Sequence, residues 1–168
     1  MAKKPEDTML IFTADTVEAI LKAGGSGDWV INPKRAQRMK FLICCRNQNW
    51  NNRREGFEHY SAFLIGKIAK LRQVNDSENT RGQPRFFVEL SEYAPISIEA
   101  VWHKDRRNPV AYQSLSELGI TLRSLKFQPM PAPTAVKSDH PLTIAEAKEA
   151  LARTFGVKPD DIEITIRG

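Results

Sequence analysis

The order of apolar and polar positions divides the chain into short strands, short helices and polar loops. TMLIFT (8–13) is an apolar run of strand length. Behind it, Asp15 and Glu18 stand at cap spacing, and Val17, Ile20 and Leu21 share one helical stripe that the glycines of 24–27 end. Trp29, Val30 and Ile31 form a strand-like triplet, and Asn32 followed by Pro33 is a cap and first helical position for one or two turns through Gln37. KFLICCR (40–46) is largely apolar, the pattern of a central strand covered on both faces. Residues 47–60 are polar, Asn-rich and basic, with aromatics inside; long loops of this kind in compact domains are often functional.

The second half continues in the same vein. AFLIGKIAKL (62–71) predicts a long strand whose Gly66 marks a bulge or a close backbone approach. Residues 73–84 are turn-rich. RFFVELS (85–91) alternates, with Phe86, Val88 and Leu90 on one side. APISIEAVW (94–102) is mixed, and HKDRRNP (103–109) is a basic loop. SLSELG (114–119) predicts a short helix stopped by Gly119, and ITLRSLKF (120–127) a closing strand. Residues 129–141 hold four prolines in thirteen, a linker that reaches about 40 Å if extended at roughly 3.1 Å per residue.

The tail has its own pattern. Thr143 and Glu146 form a capping box with Leu142 as a staple, Ile144, Ala147, Leu151 and Phe155 make one stripe, and Gly156 ends the helix. IEITI (162–166) places three isoleucines on one strand face. A helix and a strand of this size cannot bury enough surface alone, so the unit is expected to dock on the main domain, on a second copy or on a protein partner. The expected architecture is α+β: a main domain over 1–128, a linker over 129–141 and a helix–strand appendage over 142–168.

Composition supports a folded core, since 41% of the 168 residues are hydrophobic. No apolar run approaches the roughly 20 residues that cross a bilayer, and MAKKPEDTMLIF does not read as a secretion signal. A cytoplasmic protein that does not enter membranes is the expectation. Cys44 and Cys45 are neighbours on a strand and point to opposite faces, so they read as two cytosolic thiols; a vicinal disulfide would be strained.

Charge changes the picture more. Residues 1–128 carry 20 Lys and Arg against 14 Asp and Glu, and residues 129–168 carry 5 against 6. Lys34, Arg35, Arg38, Lys40, Arg46, Arg53 and Arg54 fall between positions 29 and 54 with no acid among them. Such a block is a footprint for polyanions, and its plainer reading is a solvated face. Trp29 and Trp50 bracket it. Around Trp50, Asn47, Gln48, Asn49, Asn51 and Asn52 interleave with the arginines, and Trp102, Arg106, Arg107 and Asn108 repeat that composition. Guanidinium groups hold phosphates, amides read base edges and indoles stack bases. Each tryptophan also reads as a packing residue, but the neighbours of Trp50 are too polar for a core.

Catalytic signals are weak. His59, His103 and His140 lack metal-ligand spacing, and no CxxC, GxSxG, phosphate-binding or dinucleotide motif is present. No catalytic residue, metal or cofactor is expected. Nucleic-acid binding comes first, an interaction adaptor acting through residues 142–168 second, and a hydrolase or nuclease third.

The element order from about Met9 to Pro129 resembles the PUA-like superfamily, its EVE branch first and its ASCH branch next. The segments that carry the resemblance are WVINPKRAQRMKFLICCRN, AFLIGKIAKL, RFFVELSEYAPISI and NPVAYQSLSELGI. The resemblance implies a small mixed β-barrel with flanking helices and a cleft for a flipped, often modified base of DNA or RNA. Mapped onto this chain, it implies a pocket of Trp29, Asn32, Arg46, Asn47, Ser91 and Tyr93. MLIF replaces the usual tryptophan-leucine strand, and QRMK stands where a sharp GD turn is usual. The C-terminal unit lies outside the resemblance.

Overall fold

The computed structural model describes residues 4–74, 82–132 and 143–166. The chain separates into two compact units, 1–133 and 134–168.

The first unit is mixed α+β, built on a sheet curled into a half-barrel. Its elements are β1 (Thr8–Thr13), α1 (Val17–Ala23), β2 (Gly25–Trp29), α2 (Pro33–Ala36), β3 (Phe41–Arg46), β4 (Ala62–Val74), β5 (Arg85–Ile98), β6 (Val110–Gln113) and β7 (Gln128–Pro129). The strand order is β2-β5-β4-β3-β1-β6, with β7 also on β5. β1 runs parallel to β3, and the other pairs are antiparallel. β4 and β5 are long, and their ladder slips register near Ala62, Lys67 and Ile68. Each slip adds local twist, which bends the sheet around its core. Pro95, which has no N–H to donate, sits beside the first of these slips.

All six residues of β3 are buried. Leu42 and Cys44 join a core with Ile20, Ala36 and Met39, the face covered by the two helices. Ile43 and Cys45 join a second core with Trp102, Leu115 and Ile120. A strand covered on both faces must be apolar throughout, as FLICC is. Gly66 serves close approach: a Cβ there would stand 2.5 Å from the Leu90 side chain.

Several sequence expectations move. Thr16, not Asp15, caps α1: its Oγ1 accepts from Ala19 N–H at 3.1 Å, while Asp15 N–H donates to Thr13 Oγ1. Gly24 ends the helix in the left-handed region as expected, and the glycines beyond it form β2. A Cβ on Gly25 would lie 2.0 Å from Val88 O, so these glycines are what lets β2 lie against β5. Asn32 caps α2 as its sequence predicts, accepting from Arg35 N–H at 3.1 Å. ITLRSLKF is not a strand. Its apolar positions change parity between Leu122 and Leu125, and a 3-10 turn over Leu122–Ser124 absorbs the phase break. Only Gln128 and Pro129 reach the sheet, and Met130 N–H donates to Ser91 O, so the main unit extends past residue 128. Most of the expected linker, and the staple at Leu142, lie outside the described residues.

In the second unit, α3 (Ile144–Phe155) carries the expected capping box of Thr143 and Glu146 and ends at left-handed Gly156. The strand expected over 162–166 does not form. A strand needs a partner's backbone groups, and the described residues of this unit offer no second strand.

Candidate nucleic-acid interface

The C-terminal end of β3 and the start of β4 are joined by residues 47–61, and buried polar groups hold this loop. Asn47 N–H donates to Thr13 O at 2.9 Å, continuing the parallel ladder one residue beyond the strands. Asn52 is only 1% exposed. Its Nδ2 donates to Ala14 O at 2.8 Å and to Asn47 O at 2.9 Å, and its Oδ1 accepts from Asn49 N–H at 2.8 Å. Asn49 Oδ1 in turn accepts from Asn51 N–H at 2.9 Å and Asn52 N–H at 3.1 Å. The loop tip is therefore an Asx-type turn anchored from below.

A second anchor is ionic. The Arg46 side chain is 0% exposed and pairs with Glu55, while its Nη1 donates to Asp15 O at 2.6 Å. The guanidinium lies over the Phe63 ring at 3.9 Å. Burial lowers its pKa, and the charge of Glu55 opposes that shift. Glu55 also accepts from Val17 N–H at 2.8 Å, so one carboxylate joins β3, the loop and the first turn of α1.

Above these anchors Trp50 stands 84% exposed. Arg53 lies 5.9 Å from its ring centroid, and Trp50, Asn51, Arg53 and Arg54 line an open hollow of about 300 Å³. An indole face flanked by two exposed guanidinium groups can stack a base and hold its phosphates.

The loop over 102–109 lies at the same end of the sheet. Trp102 N–H donates to Tyr60 O at 3.0 Å, and Phe12 N–H donates to Pro109 O at 2.8 Å. Phe12 stacks between Tyr60 at 5.5 Å and Trp102 at 5.2 Å, with His59 edge-on at 5.3 Å. His59 Nδ1 accepts from Gln48 N–H at 3.0 Å. Arg106 covers the Trp102 ring at 5.3 Å, and Arg107 is exposed. Arg53, Arg54, Arg106 and Arg107 thus lie on loops at one end of the sheet.

The acid-free run of 29–54 is not one surface. β3 runs through its middle and spans about 17 Å at roughly 3.3 Å per residue. Lys34, Arg38 and Lys40 are exposed before the strand; Arg53 and Arg54 follow it. Arg35 is engaged by Glu6, donating to its two oxygens at 2.8 and 2.6 Å, and lies 4.3 Å from the Tyr112 ring centroid. Two residues leave the accessible set. Arg46 is consumed by its buried pair, and Trp102, 3% exposed, is core.

The pocket implied by the resemblance is likewise not gathered in one hollow. Trp29 is half-buried with its Nε1 donating to Ser26 Oγ at 2.9 Å. Asn32 caps α2 at one end of β3, whereas Asn47 follows the other end. Ser91 lines a groove of about 500 Å³ with Phe87, Met130 and Pro131, and Tyr93 packs on the first core. Sequence reasoning missed Glu55, Phe12 and Tyr60, and it grouped Asn52 with the base-reading amides although Asn52 is a buried anchor. The Asn-rich run carried the signal for Asn52, because Asn supports tight turns as readily as it reads bases.

Among the described residues, no cluster of three or more His, Cys, Asp or Glu is placed to hold a metal ion, and no helix is long and apolar enough to cross a membrane. No protein-family model, curated protein or solved structure matches this chain.

Proposed function

We propose that this chain is a cytoplasmic nucleic-acid-binding module that grips unpaired DNA or RNA at the end of the half-barrel formed by residues 47–60 and 102–109. One observation carries the reading: Trp50 is 84% exposed, beside Arg53 and Arg54, on a loop tied down by buried polar groups. Leaving an indole in water is unfavourable unless something covers it, and a base does so at about 1–3 kcal/mol per stack. Stacking needs a base freed from a duplex, so single strands, loops and damaged or modified bases are the preferred ligands. The curled sheet supports a PUA-like, EVE-like fold. Within this reading the base lies on an open platform rather than in an enclosed pocket.

Fluorescence anisotropy with labelled single-stranded and duplex oligonucleotides tests it. Single strands should bind more tightly, and Trp50→Ala should weaken them about tenfold. Equal binding by the parent protein and Trp50→Ala would remove the reading.

A second reading is an adaptor acting through the tail. Ile144, Leu151, Phe155, Val157 and Ile166 are exposed. A second copy or a protein partner would cover them. Light scattering of the full chain and of Leu151→Asp/Phe155→Asp addresses self-pairing: a fall in mass supports it, and a monomer in both counts against it.

A further inference from the structure

We propose that Asn52 is a positioning residue for nucleic-acid recognition, acting through Trp50 without touching the ligand. The inference rests on the nucleic-acid reading and adds the device that holds the stacking platform ready.

Asn52 is buried, yet its amide is fully used within the loop's base. Its two donor bonds go to Ala14 O, at the joint between β1 and α1, and to Asn47 O, just past β3. Its acceptor takes Asn49 N–H, the residue before Trp50. The backbone closes the same turn: Arg53 N–H donates to Asn49 O at 3.1 Å and Glu55 N–H to Asn52 O at 3.1 Å. Trp50 therefore sits on a four-residue arch, Asn49 to Asn52, whose feet are bonded to each other and, through Asn52, to the chain just past β1 and β3.

The distribution of polar groups is the reason to assign a role beyond folding. A buried amide is costly unless all its bonds are made, and a loop of this length can close with polar side chains left in water. Here an interior site is given to an amide that holds Asn49, the residue before an exposed indole, and ties it to Ala14 and Asn47, while Asn49 Oδ1 holds Asn51 on the other side. Fixing the arch before binding removes ordering cost from the binding step. Asp has nearly the same shape as Asn but cannot donate, so at position 52 it would set a carboxylate against the Ala14 and Asn47 carbonyls.

The test is a double-mutant cycle on the full chain, read by anisotropy with a labelled oligodeoxythymidylate. Trp50→Ala and Asn52→Asp should each weaken binding about tenfold. Their combination should bind no more weakly than Trp50→Ala alone, because Asn52 acts only through the indole. Losses that multiply, or an Asn52→Asp protein that binds like the parent, overturn the inference while leaving the nucleic-acid reading standing. No loss in Trp50→Ala removes the nucleic-acid reading instead.

A second readout needs no ligand. With 5-fluorotryptophan incorporated, the Trp50 signal, assigned by Trp50→Phe, should be one sharp fluorine resonance. Asn52→Asp should shift or broaden it while the Trp29 and Trp102 signals stay in place. An unchanged Trp50 resonance overturns the positioning role whatever the binding result. Should Asn52→Asp fail to fold, Asn49→Ala takes its place in both measurements: it removes the acceptor of the same arch from an exposed position.

Discussion

Residues 50–54 and 102–107 are written in nearly the same letters, WNNRR and WHKDRR, yet their tryptophans differ completely in burial. Trp50 is on the surface and Trp102 is in the core, although each follows a strand and precedes paired arginines. The difference lies in what is waiting at the next layer. Trp102 leaves β5 beside Phe12 and Tyr60, which offer an aromatic stack. Trp50 leaves β3 on a loop anchored by the buried Asn52 amide and the Arg46–Glu55 pair. A polar foundation pushes an indole outward, and an aromatic one draws it in.

The largest expected effect separates the two tryptophans directly. Trp102→Ala should cost about 4 kcal/mol of folding stability by opening a cavity in the second core. Trp50→Ala should stay within about 0.5 kcal/mol of the parent protein. Urea denaturation checks both, and comparable losses would erase the contrast. Next, Glu55→Ala leaves the Arg46 guanidinium buried and uncompensated, for a loss of about 3 kcal/mol by the same measurement. A loss below about 0.5 kcal/mol would mean that the polar foundation is not what holds the loop.

Salt sharpens the comparison on the binding side. If Arg53, Arg54, Arg106 and Arg107 each meet one phosphate of a single strand, the logarithmic slope is about −2.8, and a fourfold rise in salt weakens binding about 50-fold. Replacing Arg106 and Arg107 by Ala should roughly halve that slope. A slope that does not change would confine the ligand to the Trp50 loop.

The smallest expected effect concerns the thiols. Burial drives the Cys44 thiol far above its ordinary 9.0 and pushes Cys45 up to about 12. The fold therefore favours the neutral thiols, and only the unfolded chain releases these protons as pH rises past about 9. The stability they contribute is present below that value and declines above it. The urea midpoint should fall between roughly pH 8 and 10, less so in Cys44→Ala/Cys45→Ala. A thiol reagent should modify neither residue until the chain unfolds.

Much of the sheet was legible along the chain. FLICC declared a strand covered on both faces, Gly66 marked a close approach, and Asn32–Pro33 announced α2. What failed needed information from across the fold. The acid-free run looked continuous because linear spacing does not show that β3 carries half of it to the far end. The parity change inside ITLRSLKF was present in the letters and was overridden by its local alternation. IEITI has the residues of a strand, but the described residues of its unit offer no neighbouring strand. At the candidate site, Trp50 and its arginines stood out by composition. The anchoring roles of Asn52 and Glu55 did not, because they are defined by carbonyl and amide groups from Ala14, Val17 and Asn47, which side-chain letters do not encode.

The adjacent cysteines of β3 have one more consequence. Cys44 belongs to the compartment under the helices and Cys45 to the one around Trp102. Two sulfur atoms on neighbouring residues thus sample two separate oily chambers through a wall one strand thick. During gradual denaturation, whichever thiol is modified first names the chamber that floods first, and a mass spectrum of the labelled peptide reads the order directly.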